Sequence, residues 1–383
     1  MIAKRAIIAL AALLAIGGRV EAAPVTIEPS GDKYMYPFIN DSPDDGGSRR
    51  DYGSVFGAYG AIDDPSFNFD DRDAQFFLDF ATQSLAPAGQ GASKYRVLSL
   101  TVTLVVENEG GFVYDPTFDP LSTYLNPATD IDLGRPLELY GVGYRSGWTR
   151  ATFNADAPFQ NVPSSSILDP KGDWNRKRNA FAIDFDALGA PRDISNNVEE
   201  NFETSPWAVA DSPGFIGRED DIYVESPIEP GSRMPEGRVL RFQVDPNNPR
   251  VAAYLQDALH AGRLHLMVSS LYGTQRQSSS IPRFYSKEIG LPELTPQLSA
   301  EVLVMPETTI ARVPNGYRVH FDTVAGQNYQ VERRDSLSTG NWLPVGEPRQ
   351  GTGDLLDYTD TTAGSSSTGH RFYRVSVSKT QST

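Results

Sequence analysis

The sequence contains no cysteine, which excludes disulfides, thiol nucleophiles, cysteine-built zinc sites and iron–sulfur clusters. A chain of 383 residues buries enough surface to fold without such staples. Histidine is scarce as well. The four present, His260, His265, His320 and His370, form no H-E-x-x-H or other metal spacing. No G-x-S-x-G elbow occurs, and "GVGYRSG" follows "LELY" with no helix pattern behind it, so a phosphate-cradling loop is not indicated. Past the N-terminal segment no apolar run approaches the ~18 residues that span a bilayer. Positive charge is in deficit: 34 Lys and Arg stand against 49 Asp and Glu, a net charge of −15. Such a field repels nucleic acid and anionic membranes and attracts cations.

What is present begins with an export signal. Lys4 and Arg5 precede an apolar core at residues 6–16, too short to cross a membrane, and "VEA" at 20–22 has the small-residue pattern of a cleavage site. We expect residues 1–22 to be a signal peptide, leaving a mature chain that is secreted or periplasmic and not inserted in a membrane. Losing Lys4, Arg5, Arg19 and Glu21 takes the charge to −17.

Short alternating runs follow, separated by Gly and Pro clusters: "YRVLSLTVTLVVE" (95–107), "RVLRFQVD" (238–245), "GRLHLMVSSLYG" (262–273) and "YRVHFDTV" (317–324). In the third, Leu264, Leu266 and Val268 share one face while His265 and Met267 point the other way. The pattern is that of an all-β protein, and a sandwich is its natural architecture. One helix is predicted inside it, with Asn248 as N-cap, Pro249 in the first turn and Gly262 after the last. Val251, Tyr254, Leu255, Ala258 and Leu259 make its apolar stripe. Between about residues 110 and 235 the periodicity fades into long loops, which in compact domains are functional or partly disordered. We place the first domain at 23–305 and a second at 306–383, after Pro306. The second shows strands at Tyr317–Val319–Phe321, Tyr329–Val331 and Tyr373–Val375–Val377, with Trp342 as a core aromatic.

That C-terminal segment, through "YRVHFDTVAGQNYQVERRDSLSTGNWLPVG" and "RFYRVSV", resembles the small fibronectin-III-like sandwich of secreted bacterial proteins, an accessory module without catalysis. The first domain resembles the disaggregatase-related (DNRLRE-type) jelly roll, a group related to carbohydrate-binding modules. The pieces that carry this are "RDYGSVFGAYG", "AQFFLDFATQSL", "VLSLTVTLVVE" and "LRFQVD…VAAYLQDALHAGRLHLMVSS…FYSKE…PQLSAEV". Its long central loops depart from that family. The resemblances imply a large jelly-roll-like β-sandwich with long loop insertions and one short helix, then a small fibronectin-III-like one.

Two residue groups stand out as candidate sites. Asp63, Asp64, Asp70, Asp71 and Asp73 crowd one stretch with Arg72 as the only nearby cation. Such density suits calcium, which takes six to eight oxygens, or else a solvated acidic loop. The spacing is not that of an EF-hand. Tyr140, Tyr144, Trp148 and Trp174 fall in or beside the central loops, where exposed rings stack on sugar faces; the alternative is packing under those loops. Glu138 and Glu109 lie beside strands and aromatics, but no pair is singled out as catalytic, and no catalytic residue is assigned. The expected function is therefore that of an exported, non-catalytic binding or cell-surface protein, with polysaccharide as the ligand class. The alternatives are a glycan-degrading enzyme (hydrolase or lyase) using loop carboxylates, and a purely structural matrix or surface-layer protein.

Overall fold

In a computed structural model, the structure describes residues 24–36, 50–57, 70–159, 178–217, 222–273, 280–362 and 371–380. The expected signal peptide, residues 1–22, lies outside them. The protein is an all-β sandwich, and the chain divides into two compact units, one spanning Pro24–Val302 and one beginning at Leu303.

Two antiparallel sheets dominate the first unit. The six-stranded sheet runs β1 (Val25–Ile27), β15 (Gln297–Val304), β5 (Tyr95–Val105), β12 (Arg238–Val244), β10 (Asp211–Ile216), β11 (Tyr223–Glu225). The seven-stranded sheet runs β2 (Gly31–Met35), β4 (Gln75–Ala81), β13 (Arg263–Ser269), β6 (Glu138–Tyr144), β7 (Ala180–Phe185), β8 (Pro191–Asp193), with β9 (Ala208–Val209) paired to β6. A two-stranded ribbon joins β3 (Tyr52–Ser54) and β14 (Arg283–Tyr285). Alternation sets the register. Leu104, Val102 and Leu100 of β5 oppose Leu240, Phe242 and Val244 of β12, and all six are buried. On β13, Leu264, Leu266 and Val268 oppose Phe80, Leu78 and Phe76 of β4.

The second face of β13 departs from the sequence expectation. His265 and Met267, whose alternation points them away from the sandwich interior, are also fully buried. The segment after β6 covers that face: Phe153, Ala157 and Phe159 join Met35, Phe77, Tyr140, Val142, Ile194 and Met267 in a further core. Part of the aperiodic central region is thus a lid of single apolar residues. Such spacing has neither strand nor helix period and reads as loop.

Two α-helices are described, the short α1 (Leu121–Leu125) and α2 (Pro249–Ala261). The Asn248 side chain accepts from the Arg250 amide, Pro249 opens α2, and Gly262 ends it in the left-handed conformation. Val251, Leu255, Ala258 and Leu259 are its buried stripe. Among the described residues no helix is long and apolar enough to cross a membrane.

The second unit has a three-stranded sheet, β16 (Thr308–Val313), β17 (Gly316–Phe321), β21 (Leu356–Asp360). In its other sheet β18 (Gln327–Arg334) pairs with β19 (Leu343–Pro344), β20 (Arg349–Gln350) and β22 (Phe372–Lys379). Val319, Phe321, Tyr329, Val331, Val345 and Tyr358 form the core. Trp342 is not among them. It is half-buried, with the Arg374 guanidinium 4.5 Å and the Arg334 guanidinium 5.9 Å from its ring centre.

Candidate functional site

Asp70, Asp71 and Asp73 are buried, which corrects the alternative of a solvated acidic loop at these positions. The segment runs into the start of β4, and its charges meet partners from far along the chain. Asp70 forms an ion pair with Arg178 and accepts from Asn196. Asp71 accepts the backbone amides of Val198 and Glu199 at 2.9 and 2.8 Å. Burial nevertheless pushes the Asp71 carboxyl up to about 6, those amides only partly opposing it. Burial also raises the Asp73 carboxyl well above its ordinary value, against the pull of Arg178. Asp63 and Asp64 lie outside the described residues. Arg72 does not neutralise these aspartates. Its guanidinium is fully buried, 2.5 Å from Glu138 Oε2, and its Nε donates to Asn197. Burial opposes that charge, but Glu138 together with Tyr140 and Tyr124 outweighs it and holds the guanidinium above its usual value. Removing one member of such a pair costs about 3–5 kcal/mol, because the other charge is left uncompensated.

The aromatic candidates are also drawn inward. Tyr140 is fully buried; its hydroxyl donates to Glu138 at 3.0 Å and lies 3.2 Å from Thr204 Oγ1, so the ring cannot face a ligand. Tyr144 and Trp148 pack against the lid core, Trp148 edge-on to Phe153 with ring centres 5.7 Å apart. Trp174 lies outside the described residues. Tyr144 also begins a buried chain. Its hydroxyl is 2.5 Å from His265 Nδ1, His265 Nε2 is 3.1 Å from Asp79 Oδ1, and Arg263 Nε donates to the same carboxylate at 2.7 Å. Burial lowers the His265 pKa, and the neutral ring then accepts from Tyr144 and donates to Asp79. Glu138 and Glu109 serve as acceptors, Glu138 for Arg72 and Tyr140, and Glu109 for the Glu236 amide.

A different cluster forms on the connection between β5 and β6. Asp115 and Asp119, each 4% exposed, stand beside the exposed Asp132, one carboxylate oxygen from each within 4.8 Å of the others. The loop is anchored by main-chain bonds at Tyr114 to Ser232 and Gly231. Gly134, at φ 114°, allows the chain to close on itself, since a Cβ there would lie 2.9 Å from the Val113 carbonyl. Arg135 Nη1 donates to Asp119 at 2.9 Å, also pairs with Asp130, and stacks over Tyr124 with 4.8 Å to the ring centre. Burial, then the nearby Asp115, raises the Asp119 carboxyl to about 6 despite Arg135. Burial raises Asp115 as well, opposed by its Thr117 hydrogen bonds.

The sequence matches no protein-family model and no curated protein.

Around this cluster the surface is apolar. Ile131 is 99% exposed, Leu133 66% and Phe118 38%. Phe118 and Tyr223 are the exposed aromatic rings among the described residues. Sequence reasoning missed the cluster because its three carboxylates are spaced four and thirteen residues apart, in no recognisable motif. The one available signal was the pairing of exposed-type apolar residues with aspartates in "DPTFDP" and "TDIDLG".

Proposed function

We propose that this is an exported, non-catalytic β-sandwich protein that binds polysaccharide through the loop between β5 and β6. The observation that carries the reading is the exposed Phe118 ring adjoining Asp119 in a loop dense with carboxylates. Sugar rings bury their C–H faces on aromatic surfaces while their hydroxyls donate to nearby carboxylates. The resemblance of the first domain to carbohydrate-binding jelly rolls supports the same ligand class, and the signal-peptide pattern supports export. In this reading the second unit is an accessory module.

Retention on a glycan array and in affinity gels tests the proposal. The full chain should be retained by at least one polysaccharide, and Phe118→Ala should weaken retention about three- to tenfold, the range of one aromatic contact. Absence of retention on every glycan rejects it. A second reading, glycan cleavage, is favoured by the raised Asp119 carboxyl beside further carboxylates, the arrangement of a general acid. Release of reducing ends, abolished in Asp119→Asn, would replace the binding proposal with that one.

A further inference from the structure

The loop between β5 and β6 offers more oxygen acceptors than it has protons to share. Thr117 has one hydroxyl proton, yet its Oγ1 stands 2.6 Å from Asp115 Oδ1 and 2.9 Å from Asp132 Oδ2. A single proton satisfies one of these contacts and leaves the other as two facing lone pairs. Asp115 Oδ2 is sealed from solvent and receives no hydrogen bond among the described residues. A buried carboxylate oxygen in that condition is strongly unfavourable unless a positive charge meets it. Arg135 is committed elsewhere, to Asp119 and Asp130 and to the face of Tyr124.

We propose that this loop is a calcium site, with Asp115, Asp119 and Asp132 as ligands and the Thr117 hydroxyl beside them. The spacing admits calcium, and the donor set favours it. Calcium binds oxygen at about 2.3–2.6 Å, so oxygens on opposite sides of it lie up to about 4.6–5.2 Å apart. The three carboxylates fall inside that span, within 4.8 Å of one another. Magnesium demands near-ideal octahedral geometry, dehydrates reluctantly and is usually held by one or two carboxylates, so a set of three carboxylates favours calcium. Zinc is disfavoured by the all-oxygen donor set. Three carboxylates and a hydroxyl leave coordination positions for water, which places the affinity in the weak range of extracellular modules, a Kd of about 0.1–1 mM. This is a second location for the cation that the aspartate-rich stretch at 63–73 suggested in sequence. It stands apart from the glycan reading, because calcium uptake is measured with no glycan present.

The test is calcium titration of the chelator-treated full chain by calorimetry, with a parallel thermal melt. Asp132 is exposed, so Asp132→Asn removes a ligand's charge without disturbing the core. Expected are saturable uptake of calcium with a matching upward shift of the melt, and at least about a tenfold loss of affinity in Asp132→Asn, since ligand charge sets the affinity. The circular dichroism of that variant should remain that of the parent. Asp257→Asn, on the exposed side of α2, should bind as the parent does. Absence of uptake at 10-fold above about 1 mM calcium overturns the proposal. So does uptake that survives Asp132→Asn but falls in Asp63→Asn/Asp64→Asn. An equal response to magnesium overturns the choice of calcium.

Discussion

Asp79 illustrates how this protein keeps charge inside a sandwich. It lies on β4, pairs across the sheet with His265, and is held by Arg263 and by the His265 ring. Burial alone would raise its carboxyl, but the hydrogen bonds from His265 and Arg263 outweigh that and hold it below the ordinary value. A carboxyl depressed in the folded state contributes stability above the unfolded pKa, about 3.9, and loses it as pH falls through the folded value. Asp79→Asn should therefore cost about 3 kcal/mol at pH 7, the low end for a broken buried pair because Arg263 is partly exposed. In urea denaturation the gap between parent and variant should close progressively below about pH 4. A gap constant from pH 7 to pH 3 would mean that the carboxylate contributes no charge-dependent stability. None of this was legible locally. Asp79 and His265 look like ordinary outward strand residues until a lid covers them, and the partners of Asp70 and Arg72 lie more than sixty residues away in sequence.

At the scale of elements, legibility followed period. The β5, β12 and β13 runs and the capped helix α2 stood out because a repeat of two or of 3.6 persists through each. The lid over β13 did not, since Phe153, Ala157 and Phe159 bury a sheet face without repeating at either spacing. The helix also carries a sharp backbone requirement at its end. Gly262 has φ 75°, donates its amide to Ala258 and Leu259, and accepts from Thr82 at the end of β4. A Cβ there would stand 2.8 Å from Gln83 Nε2 and 3.1 Å from Ala88 Cβ. Gly262→Ala should cost about 1–2 kcal/mol from the left-handed backbone alone. In a unit of this size that lowers the melting temperature by about 2–8 °C. A melt unchanged within one degree would show that the helix ends without this conformation.

Across the whole molecule, the consequential point is where the second unit begins. A break in strand pattern draws attention to Pro306, but the compact unit starts at Leu303, inside β15. One buried side chain ties Val304 to that unit. The Gln327 amide accepts from the Val304 backbone at 2.8 Å and donates back to the Val304 carbonyl at 3.0 Å, an exchange that closes Val304 onto the start of β18. The same Gln327 nitrogen lies 2.7 Å from the Tyr329 hydroxyl, which takes the Val324 amide. A fragment of residues 306–383 keeps the hydrophobic core but strips the Val304 partner from this amide, leaving a buried donor and acceptor to find other partners. That loss amounts to about 1–3 kcal/mol for the unsatisfied groups. A fragment of residues 303–383 retains the pair. Both should give β-type spectra and cooperative melts, with 303–383 the more stable by that margin. Gln327→Leu should erase the difference, because no polar group then depends on Val304. Equal stability of the two unmodified fragments would remove Val304 from the unit and move its start to the proline.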